Sequence, residues 1–300
     1  MIHHIICQRM CIFMKTKPVL GFANQKGGVG KTTWSKIFSE YMAIIQQKDT
    51  LGIDIDSQTS FTARFFGINK NPVTDYKEPP IHPYYDPNNA DGWDGRSSIA
   101  DIFFGKLPKP YPTKIPRLDI IPSDEGNLFK AENIKRQEMA DKVYGQLHSF
   151  INIQDVQDSY DIFVIDTPPA KGPLTISAFK AMTHLVIPLE IELQAIEGLA
   201  GLLQLWKQEA MSRPADFPLN LIGVLPNKVH SRRGSDKDLL SDLRSDPSYG
   251  SYIMPVQMVD RMELPLCDLE QKTIFQYADS NPAKQEALSV CDYIYQRIFQ

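Results

Sequence analysis

No apolar run in these 300 residues approaches the roughly 18–20 needed to cross a bilayer, so the sequence offers no spanning helix. Cysteine is scarce. Cys7, Cys11, Cys267 and Cys291 form no C-x-x-C pair and have no metal-ligand spacing with histidine, which excludes a cysteine-built metal centre and favours reduced thiols. Charge of neither sign is in excess: Lys+Arg number 32 and Asp+Glu 36, a net −4. Any contact with nucleic acid must therefore come from a local patch. The apolar opening, residues 1–13, is short and lacks a small-residue cleavage site, so it makes a poor signal peptide. Met14-Lys-Thr-Lys17 then leads directly into an apolar segment, and residues 1–13 are expected to be a dispensable extension. What is present is ordinary for a soluble globular protein: 42% hydrophobic and 23% charged residues, enough for a sizeable core.

One stretch carries most of the information. Residues 26–33 read Lys-Gly-Gly-Val-Gly-Lys-Thr-Thr, between the apolar segment 18–23 and the helix-like segment 34–43. Strand, glycine-rich loop and helix form the context of a phosphate-binding loop. Gly27, Gly28 and Gly30 let the backbone curl, so that N–H groups around Val29 and Thr33 point at phosphate oxygens, aided by the helix N-terminus. Lys31 would reach the β- and γ-phosphates of ATP, and the Thr32 hydroxyl would sit on Mg²⁺.

Further along, short apolar runs alternate with amphipathic ones. Strands are predicted at 50–56, 118–122, 160–166, 184–188 and 219–225, and helices at about 31–46, 98–105, 126–150, 173–182, 194–210 and 282–298. This alternation predicts an α/β fold, doubly wound, with a mostly parallel sheet covered on both faces. We expect one domain over 14–300, interrupted at about 69–96 by a proline-rich insertion with Trp93, Tyr84 and Tyr85. That insertion reads either as a partner surface or as a disordered excursion.

A nucleotide site needs acids at the carboxyl ends of strands beside the loop. Asp166 closes the apolar run Phe163-Val-Ile, where it would hold Mg²⁺ or merely cap the next turn. Asp54 and Asp56 lie two apart on a strand, hence on one face, either to address one ion and one water or as solvated acids.

The loop departs from the usual G-x-x-x-x-G-K-[ST] pattern: Gln25 holds the first glycine position and Lys26 follows it. In this it resembles the deviant Walker A loop of the ParA/MinD family of ATPases, with its second lysine. Asp166-Thr-Pro-Pro169 and Asp54-x-Asp56-Ser-Gln58 resemble the family's other motifs, with Ser57 in place of its proline. The resemblance covers most of 18–298 and implies a P-loop NTPase fold and slow, partner-stimulated ATP hydrolysis. It implies that Lys26 crosses an ATP-sandwich homodimer to the partner's nucleotide, that Asp56 positions the attacking water and Asp54 supports Mg²⁺, and that Asn227 helps recognise adenine.

The terminal segment 289–300 carries a single arginine and lacks the basic face by which MinD-type members dock on membranes. The short ParA branch, without an N-terminal helix-turn-helix domain, is the nearer resemblance. It implies a cytoplasmic, nucleoid-associated prokaryotic protein that binds nonspecific double-stranded DNA in its ATP state and responds to a centromere-binding adaptor. Lys228, Arg232, Arg233, Lys237 and Arg244 are the DNA candidates, interrupted by Asp236, Asp238 and Asp242. Two rivals stay open: a positioning ATPase for protein or organelle cargo, and an ATP-switched interaction module that never meets DNA.

Overall fold

The computed structural model describes residues 16–89, 92–135, 138, 140–169, 172–230 and 234–300, so the extension 1–13 and Arg232 and Arg233 lie outside the described residues. β1 (Val19–Phe22) is followed by α1 (Lys31–Ile44), β2 (Thr50–Asp54) and α2 (Ser60–Phe66). A short antiparallel hairpin, β3 (Asn69–Lys70) and β4 (Lys77–Glu78), opens the proline-rich insertion. β5 (Tyr111–Pro112), β6 (Leu118–Ile121), α3 (Glu125–Glu132), α4 (Gln146–Ile151) and α5 (Gln154–Ser159) lead to β7 (Ile162–Asp166). There follow α6 (Pro173–Ala181), β8 (His184–Glu190), α7 (Leu193–Met211), β9 (Asn220–Asn227), α8 (Gly234–Ser245), α9 (Glu263–Leu269) and α10 (Pro282–Phe299).

Seven strands make one sheet in the order β5-β6-β2-β7-β1-β8-β9, and only β5 runs antiparallel to its neighbour. This is the expected doubly wound, mostly parallel α/β architecture. Strand periodicity divides the core into two layers. Ile162 and Val164 face one side, where Trp34, Phe38 and Tyr41 of α1 meet Ala287, Val290 and Ile294 of α10. Phe163 and Ile165 face the other, against Leu147, Leu174, Ala178 and Leu202. Each such large side chain, fully buried, contributes about 1.5–3 kcal/mol relative to exposure. α10 begins where Asn281 accepts from the backbone N–H of Ala283 at 2.9 Å and of Lys284 at 3.2 Å, with Pro282 in the first turn. Among the described residues no helix is long and apolar enough to cross a membrane.

One expectation needs correction. The predicted helix over 126–150 is broken: α3 stops at Glu132, a π-helical turn spans Ala140–Tyr144, and α4 starts at Gln146. The Asn133 amide reaches back to the Phe129 carbonyl at 2.7 Å, a side-chain competitor for the backbone at the end of α3. The described part of the insertion is ordered. Its Trp93 is half-buried against Tyr85 and His82 and donates from its indole to the Arg96 carbonyl at 2.6 Å, so Trp93 and Tyr85 glue the insertion together internally.

Candidate functional site

Parallel pairing brings the site together. The register sets Phe22 and Asp54 each opposite Asp166, and Glu190 opposite Asn227, so the loop after β1 and the ends of β2, β7, β8 and β9 share one rim. The loop itself is tied down from both sides. The Asn24 amide donates to the Pro188 carbonyl at 2.7 Å, while its oxygen accepts from the Lys26 N–H at 3.0 Å. Gly30 sits at φ 97° just before α1, and a Cβ there would stand 2.3 Å from the Asn227 amide nitrogen. Gly27 and Gly28 leave open space where their side chains would be, Gly28 at φ 76°.

Lys31 is 6% exposed and its ammonium rests on the Lys26 carbonyl at 3.3 Å. Burial lowers its pKa, while Asp166 and Asp56 pull it back up. The Thr32 hydroxyl donates to Asp166 Oδ2 at 2.8 Å, and Ser35 donates to Oδ1 at 3.0 Å. Asp166 is fully buried, and burial together with the charges of Asp54 and Asp56 raises its pKa. Asp56 is nearly buried, its carboxyl raised by desolvation, with one oxygen capping the Gln58 N–H at 2.9 Å. Thr33, the last residue of the motif, accepts from Arg64 of α2 at 3.2 Å.

Three further predicted residues are engaged by protein partners. Asp54 accepts at Oδ2 from the Thr62 N–H and hydroxyl at 2.8 and 2.7 Å and from Ser123 at 2.9 Å, and at Oδ1 from the Asp56 N–H at 3.1 Å, so Oδ1 keeps acceptor capacity. Asn227 donates to the Val29 carbonyl at 2.8 Å and accepts from the Trp34 indole at 3.0 Å, so its amide straps the loop to α1. Lys26 stands at the rim, paired with Glu192 at 2.5 Å. Glu192 raises its pKa, chiefly through that hydrogen bond.

Of the DNA candidates, Lys237 and Arg244 lie seven apart on α8 and so share a face, both exposed; Lys228 precedes that helix at φ 54°. Arg244 leans toward Gln257 at 3.3 Å. Asp236 is buried and caps the His230 N–H at 3.1 Å, which removes one acid from that face.

Two orphaned donors escaped the sequence reading. The Gln25 amide nitrogen and the Thr59 hydroxyl are buried without a hydrogen-bond partner. One belongs to the loop and the other to the segment after Asp56, where phosphate oxygens or a water would satisfy them. Gln25 was legible as the residue in the first glycine position, but its orphaned amide was not. Together with the Thr32–Asp166 pair, these donors fit a Mg²⁺-nucleotide.

A profile of the AAA domain family matches residues 17–213. A putative replication protein A of Rhizobium rhizogenes is 28% identical over 269 residues, 86% of this chain, which spans 61% of that relative's length. The sporulation initiation inhibitor protein Soj of Bacillus subtilis is 32% identical over 226 residues, covering 75% of this chain and 78% of Soj. The fold matches a putative plasmid partition protein of Borrelia burgdorferi bound to AMPPNP, with TM-score 0.67, 18% identity, 94% of this chain and 100% of the other covered. Loop, acids, sheet order and these likenesses converge: the chain belongs to the ParA/MinD family of P-loop partitioning ATPases.

Proposed function

We propose that this chain hydrolyses ATP slowly and uses the nucleotide to switch a homodimer on and off nonspecific DNA, serving plasmid or chromosome partition. The observation that carries it is the Lys31–Thr32–Asp166 assembly at the end of β1 and β7, with Lys26 standing outward at the rim of the same loop. Lys31 and the loop N–H groups would hold the phosphates, and Gln25 would gain the acceptor it lacks. Thr32 and Asp166 would hold Mg²⁺, which when bound draws charge from the phosphate oxygens. Asp56 would orient the attacking water; Asp54, by its four hydrogen bonds, keeps that segment and α2 in place. In the dimer Lys26 would leave Glu192 for the partner's nucleotide, an exchange of one exposed ion pair worth about 0–1 kcal/mol. Lys228, Lys237 and Arg244, with Arg232 and Arg233, would meet phosphate backbone.

The likeness to a plasmid partition protein that takes AMPPNP supports nucleotide use and partition; DNA, Mg²⁺, homodimer and adaptor belong to the proposal. The test is binding to nonspecific double-stranded DNA with ATP, with ADP and without nucleotide, across a salt series. ATP-dependent, salt-sensitive binding that Lys26→Ala abolishes is the expected result. ATP-driven dimerisation with no DNA binding in any condition would refute the DNA half and leave the interaction module.

A further inference from the structure

The insertion and α3 enclose a recess of about 510 Å³ away from the phosphate-binding loop. Its charges are asymmetric in how they are used. Three of the four acids in its wall are committed inward: Glu78 pairs with Arg96 at 3.0 Å, Asp101 accepts from Ser97 at 2.8 Å, and Asp124 caps the Asn127 N–H at 2.7 Å; the fourth, Asp94, is exposed and accepts from the Arg96 N–H at 3.0 Å. The ammonium groups are not neutralised. Among the described residues Lys106, Lys109 and Lys130 have no ion-pair partner within 4 Å; Lys109 lies 3.6 Å over the Trp93 ring, and Lys130 donates to the Asn127 amide oxygen while feeling the charge of Asp124 at longer range. Three large apolar side chains stand exposed nearby, Tyr76 (39%), Leu107 (68%) and Phe129 (53%), the first and last in ring contact.

The recess is connected to the catalytic segment by one residue. Lys77 lines it, and its ammonium donates to the Gln58 carbonyl at 2.9 Å, two residues beyond Asp56. Its backbone N–H is fixed to Glu125 of α3 at 2.8 Å, and Tyr76 packs where Gly126 has no Cβ, so the strand carrying Lys77 is seated firmly on α3. An anion in the recess would compete with the Gln58 carbonyl and with the field of Asp56 for that ammonium, because a close opposite charge attracts it more strongly than a carbonyl dipole does.

We propose that this recess is the docking site of an acidic peptide segment of a protein partner, carboxylates on the lysines and an apolar side chain on Tyr76, Leu107 and Phe129, and that its occupation is transmitted to the Asp56 segment through Lys77. A peptide fits better than a nucleic acid. A peptide can place carboxylates on the lysines and an apolar side chain on the exposed trio alternately, which a continuous string of phosphates cannot. The docking half stands on the recess alone; the effect on turnover rests on the ATPase reading above.

The test begins with selection from a displayed library of short random peptides against the full chain. Enriched peptides should be rich in Asp and Glu with an aromatic or leucine residue, and should bind the Lys106→Glu/Lys130→Glu double variant about tenfold more weakly or worse. Bound peptide should change ATP turnover severalfold in the parent and leave Lys77→Met unmoved. Enrichment of neutral or basic peptides, no enrichment, or equal binding to the double variant would overturn the docking site. A fluorescent oligothymidine whose binding depends on Lys106 and Lys130 would overturn it in favour of nucleic acid. Peptide bound with turnover unchanged in an active enzyme refutes the Lys77 link; a chain that binds peptide but hydrolyses no ATP refutes the ATPase reading instead.

Discussion

At the scale of single residues, the site is built from side chains with two obligations each. Asn227 satisfies the Val29 carbonyl and the Trp34 indole at once, so Asn227→Ala orphans both in a buried place. The expected cost is about 1–3 kcal/mol. It should appear as a lowered thermal midpoint together with weaker binding of a fluorescent ATP analogue; loss of adenine selectivity at unchanged stability would support the base-recognition role. Lys26 has one ion pair to leave, with Glu192, and feels Glu190 as well. Glu192→Gln removes its charge partner and should strengthen ATP-driven dimerisation by up to about thirtyfold, as sedimentation would read, since each of the two exposed pairs released holds at most about 1 kcal/mol. A weaker dimer would mean that Glu192 acts across the interface. The motif residues were legible because glycine, lysine and threonine at fixed offsets have few other uses. The strap was not, because Asn227 lies 198 positions from Val29 and nothing local marks the pair.

At the scale of elements, a polar seam ties α1 to α2 and α9. Lys36 bridges Glu40 at 3.1 Å and Asp268 at 3.4 Å, while Arg64 bridges Asp268 at 3.0 Å and reaches Thr33. Glu40 is 2% exposed, and burial pushes its carboxyl up to about 7 although Lys36 pulls it down. The folded state therefore holds that proton more tightly than the unfolded chain does. Its stabilising contribution is full below the ordinary carboxylate range and is lost as pH rises through about 7. Thermal midpoints of the parent should fall relative to Glu40→Gln between about pH 5 and 7. Parallel curves would refute the assignment.

The buried strands of the sheet were readable as apolar runs closed by acids or turn residues. α9 was not, since Pro265 breaks the pattern, although a proline is tolerated in a first helical turn. The order of the insertion was hidden for a different reason: His82 reaches the Pro110 carbonyl and Trp93 stacks under Lys109, contacts that no local periodicity announces.

At the scale of the molecule, β1 lies inside the sheet between the central strand β7 and β8, so a ligand on its loop is fastened to fully buried strands. Mg²⁺-ATP at about a hundred times its dissociation constant should stabilise the fold by about 2.7 kcal/mol, read as a rise in thermal midpoint. Lys31→Ala should lose most of that rise; a rise that survives would place the nucleotide elsewhere. Trp34 has one more consequence. Its indole is wholly buried in the first helix and hydrogen-bonded to the strap that grips the loop, while Trp93 and Trp206 sit far off in the insertion and on α7. With those two replaced by phenylalanine, the remaining ultraviolet emission becomes an optical gauge of the loop, able to time nucleotide arrival and departure without any label.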